Sequence, residues 1–207
     1  MSISTSVSRS SEVRPASRSW RVVDIVVASV LGVACGVVFW LWNGASVPVG
    51  GALAFSPGLQ GFLSGGWLFA GVLGGLVIRK PGAAVYTEVL AAVVSMLAGS
   101  QWGFSTLIWG AVEGLGAEIV LALFLYRHWN VVVGFLAGAG AGVTTGLMDT
   151  TFYYGAWAVD YKIVYIVCSI VSGALVAGLL PWLAVRGLAR TGALSRFASG
   201  RQAQNRV

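Results

Sequence analysis

Six apolar stretches recur along this chain and constrain its fold more than any other feature: about 21 to 42, 57 to 78, 82 to 98, 104 to 126, 130 to 153 and 161 to 186. A helix needs about 20 predominantly apolar residues to cross the hydrocarbon core of a bilayer. The breaks between these stretches, made of charge, Pro, Gly-Ser or Asn, are too short to hold a separate soluble domain. Composition agrees: of 207 residues 57% are hydrophobic and 10% charged, with a mean hydropathy of +0.83, whereas a soluble domain carries roughly a quarter charged residues. The expected fold is all-α, a polytopic membrane protein with six transmembrane helices.

The breaks also carry an orientation signal. Arg18 and Arg21 precede the first span, Arg79 and Lys80 separate the second from the third, Arg127 and His128 the fourth from the fifth, and Arg186, Arg190, Arg196, Arg201 and Arg206 follow the sixth. The alternate breaks carry no Lys or Arg, with Lys162 the nearest base on that side. Basic residues mark the cytoplasmic face, so an even number of spans with both termini cytoplasmic is expected. Residues 1–19, rich in Ser and Arg, read as a disordered basic tail, residues 20–187 as the six-helix domain and 188–207 as a second basic tail. The first apolar run is longer than the core of a signal peptide, and further hydrophobic segments follow it. Cys35 and Cys168 lie far apart in different apolar stretches and read as packing residues rather than a disulfide or metal pair.

Small residues at four-residue spacing let membrane helices approach closely. The first span carries such a stripe at Ala28, Gly32 and Gly36, and the fifth at Gly134, Gly138, Gly142 and Gly146. The stripe on the first span fits either an internal helix contact or another protein.

A carboxylate facing lipid is expensive, so acids within the spans need a partner or a task. Asp24 sits beside Arg21 at an interface, which leaves Glu88, Glu113, Glu118 and Asp149. At a rise of about 1.5 Å per residue, Glu113 lies roughly 13 Å from the outer end of its span and Glu88 roughly 15 Å from the outer end of its own. Glu118 is deeper and Asp149 shallower. Five residues turn a helix by about 500°, so Glu113 and Glu118 point about 140° apart and cannot line one narrow site. Trp109, Gly110, Glu113, Gly114 and Ala117 do share a face. Glu113 is therefore the better candidate for a ligand, and Glu118 for holding helices together.

Tryptophans sharpen the picture. Trp20, Trp129 and Trp182 fall at the inner interface and Trp40, Trp42, Trp102 and Trp157 near the outer one, as an aromatic belt requires, whereas Trp67 and Trp109 lie too deep for a belt. Asn43, Gln101, Trp102, Asp149, Tyr153 and Tyr154 make the outer ends polar and aromatic, which predicts a pocket opening outward. A carboxylate beside aromatic planes suits a flat, nitrogen-rich ring: the acid accepts from an exocyclic amine and a ring N–H while an aromatic stacks on the ring face. An aminopyrimidine fits that description, as do other amino-heteroaromatic solutes. The expected contacts are Glu113 as polar anchor, Trp109 and Trp102 as stacking walls, Gln101, Asp149 and Tyr153 in support, and Trp67 and Glu88 nearby.

Several stretches together carry a family resemblance: Trp20-Arg-Val-Val-Asp24, Gly74-Gly-Leu-Val-Ile-Arg79-Lys80-Pro81-Gly82-Ala-Ala-Val-Tyr-Thr-Glu88, Gln101-Trp102-Gly103, Gly114-Leu-Gly-Ala-Glu118 and Tyr126-Arg127-His-Trp129. From about residue 20 to the sixth span the chain resembles YkoE-type substrate-binding S components of energy-coupling factor (ECF) transporters, associated with hydroxymethylpyrimidine, the pyrimidine precursor of thiamine. The resemblance implies a six-helix protein of the bacterial plasma membrane that captures a vitamin or precursor from outside. It also implies a transmembrane coupling (T) subunit and two cytoplasmic ATPases that drive reorientation. By the family's pattern, small residues on the first helix touch the coupling subunit, which favours an external role for Ala28, Gly32 and Gly36. The same pattern puts the substrate near the outer ends of helices four to six, under the first outer loop.

No Gly-rich ATP-binding loop ending in Lys-Ser/Thr is present, so energy must come from partners. An autonomous proton-coupled carrier using Glu88 or Glu113 is the alternative, but duplicated halves and paired interrupted helices, frequent in such carriers, are missing. An intramembrane enzyme is disfavoured: the sole histidine, His128, lies at the cytoplasmic edge, and no Ser-His or metal-ligand constellation falls within the spans. No cofactor, metal or nucleic-acid partner is expected.

Overall fold

The computed structural model describes residues 18–191; of the tails expected at 1–19 and 188–207, residues 1–17 and 192–207 lie outside them. Among the described residues the secondary structure is helical, in six antiparallel rods. They are α1 (Val22–Leu53), a 3₁₀ turn (Leu59–Leu63) leading into α2 (Gly65–Ile78), α3 (Ala83–Leu97), α4 (Ser105–Leu123), α5 (Val131–Phe152), and α6 (Val159–Ser172), which continues through a π segment (Gly173–Leu179) into α7 (Leu180–Arg190). Five stretches, Val22–Leu53, Leu59–Ile78, Ser105–Leu123, Val131–Phe152 and Val159–Arg190, are long and apolar enough to cross a membrane, while Ala83–Leu97 is shorter.

The largest departure from the expected boundaries is in α1. Its Asn43, Gly44 and Pro48 read as a break after residue 42, yet the helix runs on to Leu53 with Pro48 inside it. Tertiary contacts override the local signal. Asn43 accepts from Trp67 Nε1 at 2.8 Å and donates to Ser95 Oγ at 3.2 Å, so the extra turns of α1 are held against α2 and α3. The last rod likewise continues to Arg190, beyond the expected end of the helical domain at 187.

The stripe on α1 faces α3. Ala28, Gly32 and Gly36 are all buried within this chain, packed on α3. A Cβ on Gly36 would stand 2.5 Å from Val94 Cβ and 2.7 Å from Ala91 O, and one on Gly32 would press on Leu90. These residues form an internal helix contact, one of the two roles their spacing allows. The outward face of α1 is instead a row of valines, Val26, Val30, Val33 and Val37, all exposed. Glycine serves the same purpose between α5 and the π segment, where a Cβ on Gly138 would lie 2.2 Å from Gly173 O.

The basic breaks gather at one end of the bundle. Asp24, fully buried, binds Arg21 Nη2 at 2.8 Å and also receives Lys80 Nζ. Trp20 Nε1 donates to Pro81 O at 2.9 Å, Arg18 Nη2 to Leu125 O at 3.2 Å, and Arg79 lies over the Trp129 ring at 5.3 Å. Burial pulls the Arg79 guanidinium down to about 10, so it remains a cation at neutral pH.

Glu118 organises the same end. Helix α3 starts with backbone N–H groups that have no partner inside the helix. Glu118 reaches across from α4 and accepts from Gly82 N at 2.7 Å, Ala84 N at 2.8 Å and Val85 N at 3.4 Å. A carboxylate there also meets the positive end of the helix dipole. Gly82 has φ +83°, a left-handed conformation that favours glycine and turns the chain into α3. Tyr126 OH donates to Glu118 at 2.7 Å; burial first, and this bond second, raise the phenol above its ordinary range. Glu118 thus ties α4, α3 and the turn after α4 together.

Candidate ligand site

The opposite end of the bundle encloses a cavity of about 280 Å³. Its walls come from the second half of α1, the 3₁₀ turn and the start of α2, α3, the loop at 101–102, and α4, α5 and α6. Every one of these elements contributes an aromatic or polar side chain, with Phe39 from α1 and Tyr165 from α6 as examples. The pocket is therefore wider than the expected site near helices four to six.

Glu113, Trp109, Trp102, Gln101, Asp149, Tyr153 and Trp67 all line this cavity. Glu88 is the expected contact that the structure places elsewhere. It is almost completely buried, accepts a hydrogen bond from Gly71 N, and turns its other oxygen into the helix packing with no hydrogen-bond partner. Four-residue spacing explains the near miss: Gly110 and Gly114 let α4 approach Glu88, where a Cβ on Gly114 would sit 3.0 Å from Glu88 Cβ. Glu88 is level with Glu113 but faces the seam between helices rather than the cavity.

The two cavity acids differ in how far they are already satisfied. Asp149 accepts from Trp109 Nε1 at 2.6 Å and from Tyr165 OH at 2.6 Å, so it joins α4, α5 and α6 and fixes the Trp109 indole. Glu113 accepts from Thr145 Oγ1 at 3.3 Å, and that same hydroxyl points at Ala141 O at 3.0 Å. One hydroxyl proton cannot serve both acceptors fully. Glu113, only 7% exposed, therefore has most of its acceptor capacity open to the cavity. A buried carboxylate in that condition is costly until a donor arrives.

The aromatic walls are interlocked. Trp67 meets Trp102 edge to face at 5.3 Å and Trp42 at 6.0 Å, while Trp109 leans on Tyr153 at 4.9 Å. Trp67 is oriented by Asn43, as Trp109 is by Asp149. At the rim Tyr154 stacks on Trp157 at 4.0 Å, and burial, ahead of the neighbouring Asp149 and Tyr153, raises its phenol above the ordinary range. Ring faces held in this way suit a flat ligand.

Sequence reasoning missed the residues that support the site. Asn43 counted only as part of a polar outer end, and Thr145 and Tyr165 carried no signal at all. Ser and Thr in helices commonly bond their own backbone, as Thr150 does to Gly146 O at 2.6 Å, so Thr145 could not be told from its neighbours. Tyr165 shares its helix with the buried Ser169 and Ser172, which bond the start of α2 rather than line the cavity, and is recognisable only through Asp149.

Comparisons with known proteins decide the family. The family described as "ABC-type cobalt transport system, permease component" matches residues 23–144. YkoE of Bacillus subtilis (strain 168), named as an HMP/thiamine permease protein, is 35% identical over 189 residues, covering 89% of this chain and 92% of that protein. The chain belongs to the YkoE family of S components. A solved structure described as an S-component of an ECF transporter superposes with a TM-score of 0.85 at 34% identity, covering 91% of this chain and 95% of that one. This S component is accordingly a multi-pass protein of the bacterial plasma membrane, and its relatives are transporter subunits.

Proposed function

We propose that this S component captures hydroxymethylpyrimidine or thiamine from the outer face, as the substrate-binding part of an ATP-driven ECF importer. The observation that carries this reading is the under-satisfied carboxyl of Glu113 in an aromatic cavity. An aminopyrimidine supplies what Glu113 lacks: its exocyclic amine donates to the carboxylate and its ring nitrogen, once protonated, adds an adjacent N–H donor, while Trp109, Trp102 and Trp67 offer ring faces and Gln101 and Tyr153 close the outer side. Asp149 holds Trp109 in place. The cavity has no imidazole or thiolate among its lining residues, the ligands that a divalent transition ion prefers, so its chemistry suits an organic amine better than a metal ion.

In this reading the basic end faces the cytoplasm, with both termini there, and basic tails flank a six-helix domain whose last helix runs to Arg190. A transmembrane coupling subunit and two ATPases supply the energy for reorientation. Thermal unfolding of the purified chain tests the substrate: hydroxymethylpyrimidine or thiamine should raise the transition, and Glu113→Gln should weaken that effect by about tenfold or more in apparent affinity, the loss of one charge-assisted bond. Absence of stabilisation by any pyrimidine would overturn the assignment. Uptake by vesicles holding this chain alone would instead favour a proton-coupled carrier using Glu88 or Glu113.

A further inference from the structure

The lining of the cavity is distinctive in its charge. Its lining includes the carboxyls of Glu113 and Asp149 and no Lys, Arg or His. Among the described residues, Lys162 is the one base near that end of the bundle, and its ammonium donates to Gly155 O at 2.7 Å. Every other described Arg and Lys, and His128, falls at or beyond the opposite ends of the helices.

A phosphate group could still bind at a helix N-terminus, and α4 begins at the cavity wall with Ser105 and Thr106. That end is already occupied. Ser105 Oγ donates to Trp102 O at 2.8 Å, and Thr106 Oγ1 pairs with Ser100 Oγ at 2.9 Å. The backbone N–H groups of Thr106 and Leu107 donate to Gly103 O at 3.2 Å and Phe104 O at 3.1 Å. The indole N–H groups of Trp67 and Trp109 are likewise committed, to Asn43 and Asp149. A phosphate would enter beside two carboxyls with no cation and few free donors to receive it.

We infer that this site admits the neutral or cationic alcohol form of its ligand and rejects the phosphate esters of the same molecule. This rests on the pyrimidine reading given above and adds a condition to it: the imported species is the dephosphorylated one. A phosphomonoester carries a charge of about −1.5 to −2 at neutral pH. With no cation in the lining to offset the hydration that this charge gives up, the ester is disfavoured by roughly thirtyfold, about the cost of leaving one buried charged group unpaired.

The test is a calorimetric titration of the full purified chain in nanodiscs with thiamine, thiamine monophosphate, hydroxymethylpyrimidine and its monophosphate. Each ester is expected to bind at least about thirtyfold more weakly than its parent alcohol. An ester that binds within that factor of its parent overturns the charge selection while leaving the pyrimidine reading intact. Failure of all four compounds to bind overturns the pyrimidine reading, and the inference falls with it.

Discussion

Replacing Glu118 by alanine should damage the fold far more than the ligand site. The carboxylate accepts three short hydrogen bonds, from Gly82 N at 2.7 Å, Ala84 N at 2.8 Å and Tyr126 OH at 2.7 Å. Each hydrogen bond to a charged acceptor contributes about 1.5–3 kcal/mol, and a donor left buried and unpaired costs about 1–3 kcal/mol. The sum is an upper bound, because Gly82 lies at a turn where water can replace part of the loss, so the expected destabilisation is about 3–5 kcal/mol. For a chain of this size 1 kcal/mol shifts the melting midpoint by about 2–4 °C, giving a fall on the order of 10 °C. Glu118→Gln keeps one acceptor oxygen and should lose about half as much. Thermal unfolding in a fixed detergent reads the fold, and a pyrimidine titration below the transition reads the site. Loss of less than about 1 kcal/mol, or a large loss of ligand affinity in protein that remains folded, would refute the assignment of Glu118 to helix capping.

Other substitutions separate the remaining roles. Asp149→Asn should lower stability by about 1–3 kcal/mol, since an amide nitrogen replaces one acceptor facing Trp109 Nε1 or Tyr165 OH; a shift in tryptophan emission would report the freed indole. Gly36→Val should destabilise by about 1–3 kcal/mol or more by forcing α1 from α3, while Val37→Leu on the exposed face should change stability by less than about 0.5 kcal/mol. The reverse order would mean that the stripe faces outward after all. Glu88→Gln should leave pyrimidine affinity within about threefold, because Glu88 does not line the cavity; titration beside Glu113→Gln makes the comparison direct.

The number and order of apolar stretches, and the gathering of Arg21, Arg79 and Lys80 at one end, could be read from hydropathy and charge alone. What could not be read was where helices end against each other. Asn43 and Pro48 are break signals in any local reading, but the partners that keep α1 helical, Trp67 and Ser95, stand 24 and 52 residues away. The stripe at Ala28, Gly32 and Gly36 was visible as a close-packing face, yet nothing in its spacing says whether the neighbour is α3 or another protein. Leu90 and Val94 on α3 decide that, and they look like any other apolar pair until the helices are placed.

The acids show the same limit at the level of chemistry. Helical rotation was enough to separate Glu113 from Glu118, and rise per residue was enough to bring Glu88 level with Glu113. Neither counts donors, and the number of donors decides what each carboxyl does. Glu118 has backbone amides and a phenol, and caps a helix; Asp149 has an indole and a phenol, and fixes an aromatic wall. Glu88 has one backbone amide and faces a helix seam. Glu113 has a share of one hydroxyl and opens on the cavity. A buried polar group with nothing to bind is unfavourable, so selection for stability alone has little reason to keep a carboxyl there. A partner that comes and goes gives it a reason, and the same incomplete pairing that weakens the empty protein leaves Glu113 able to hold that partner.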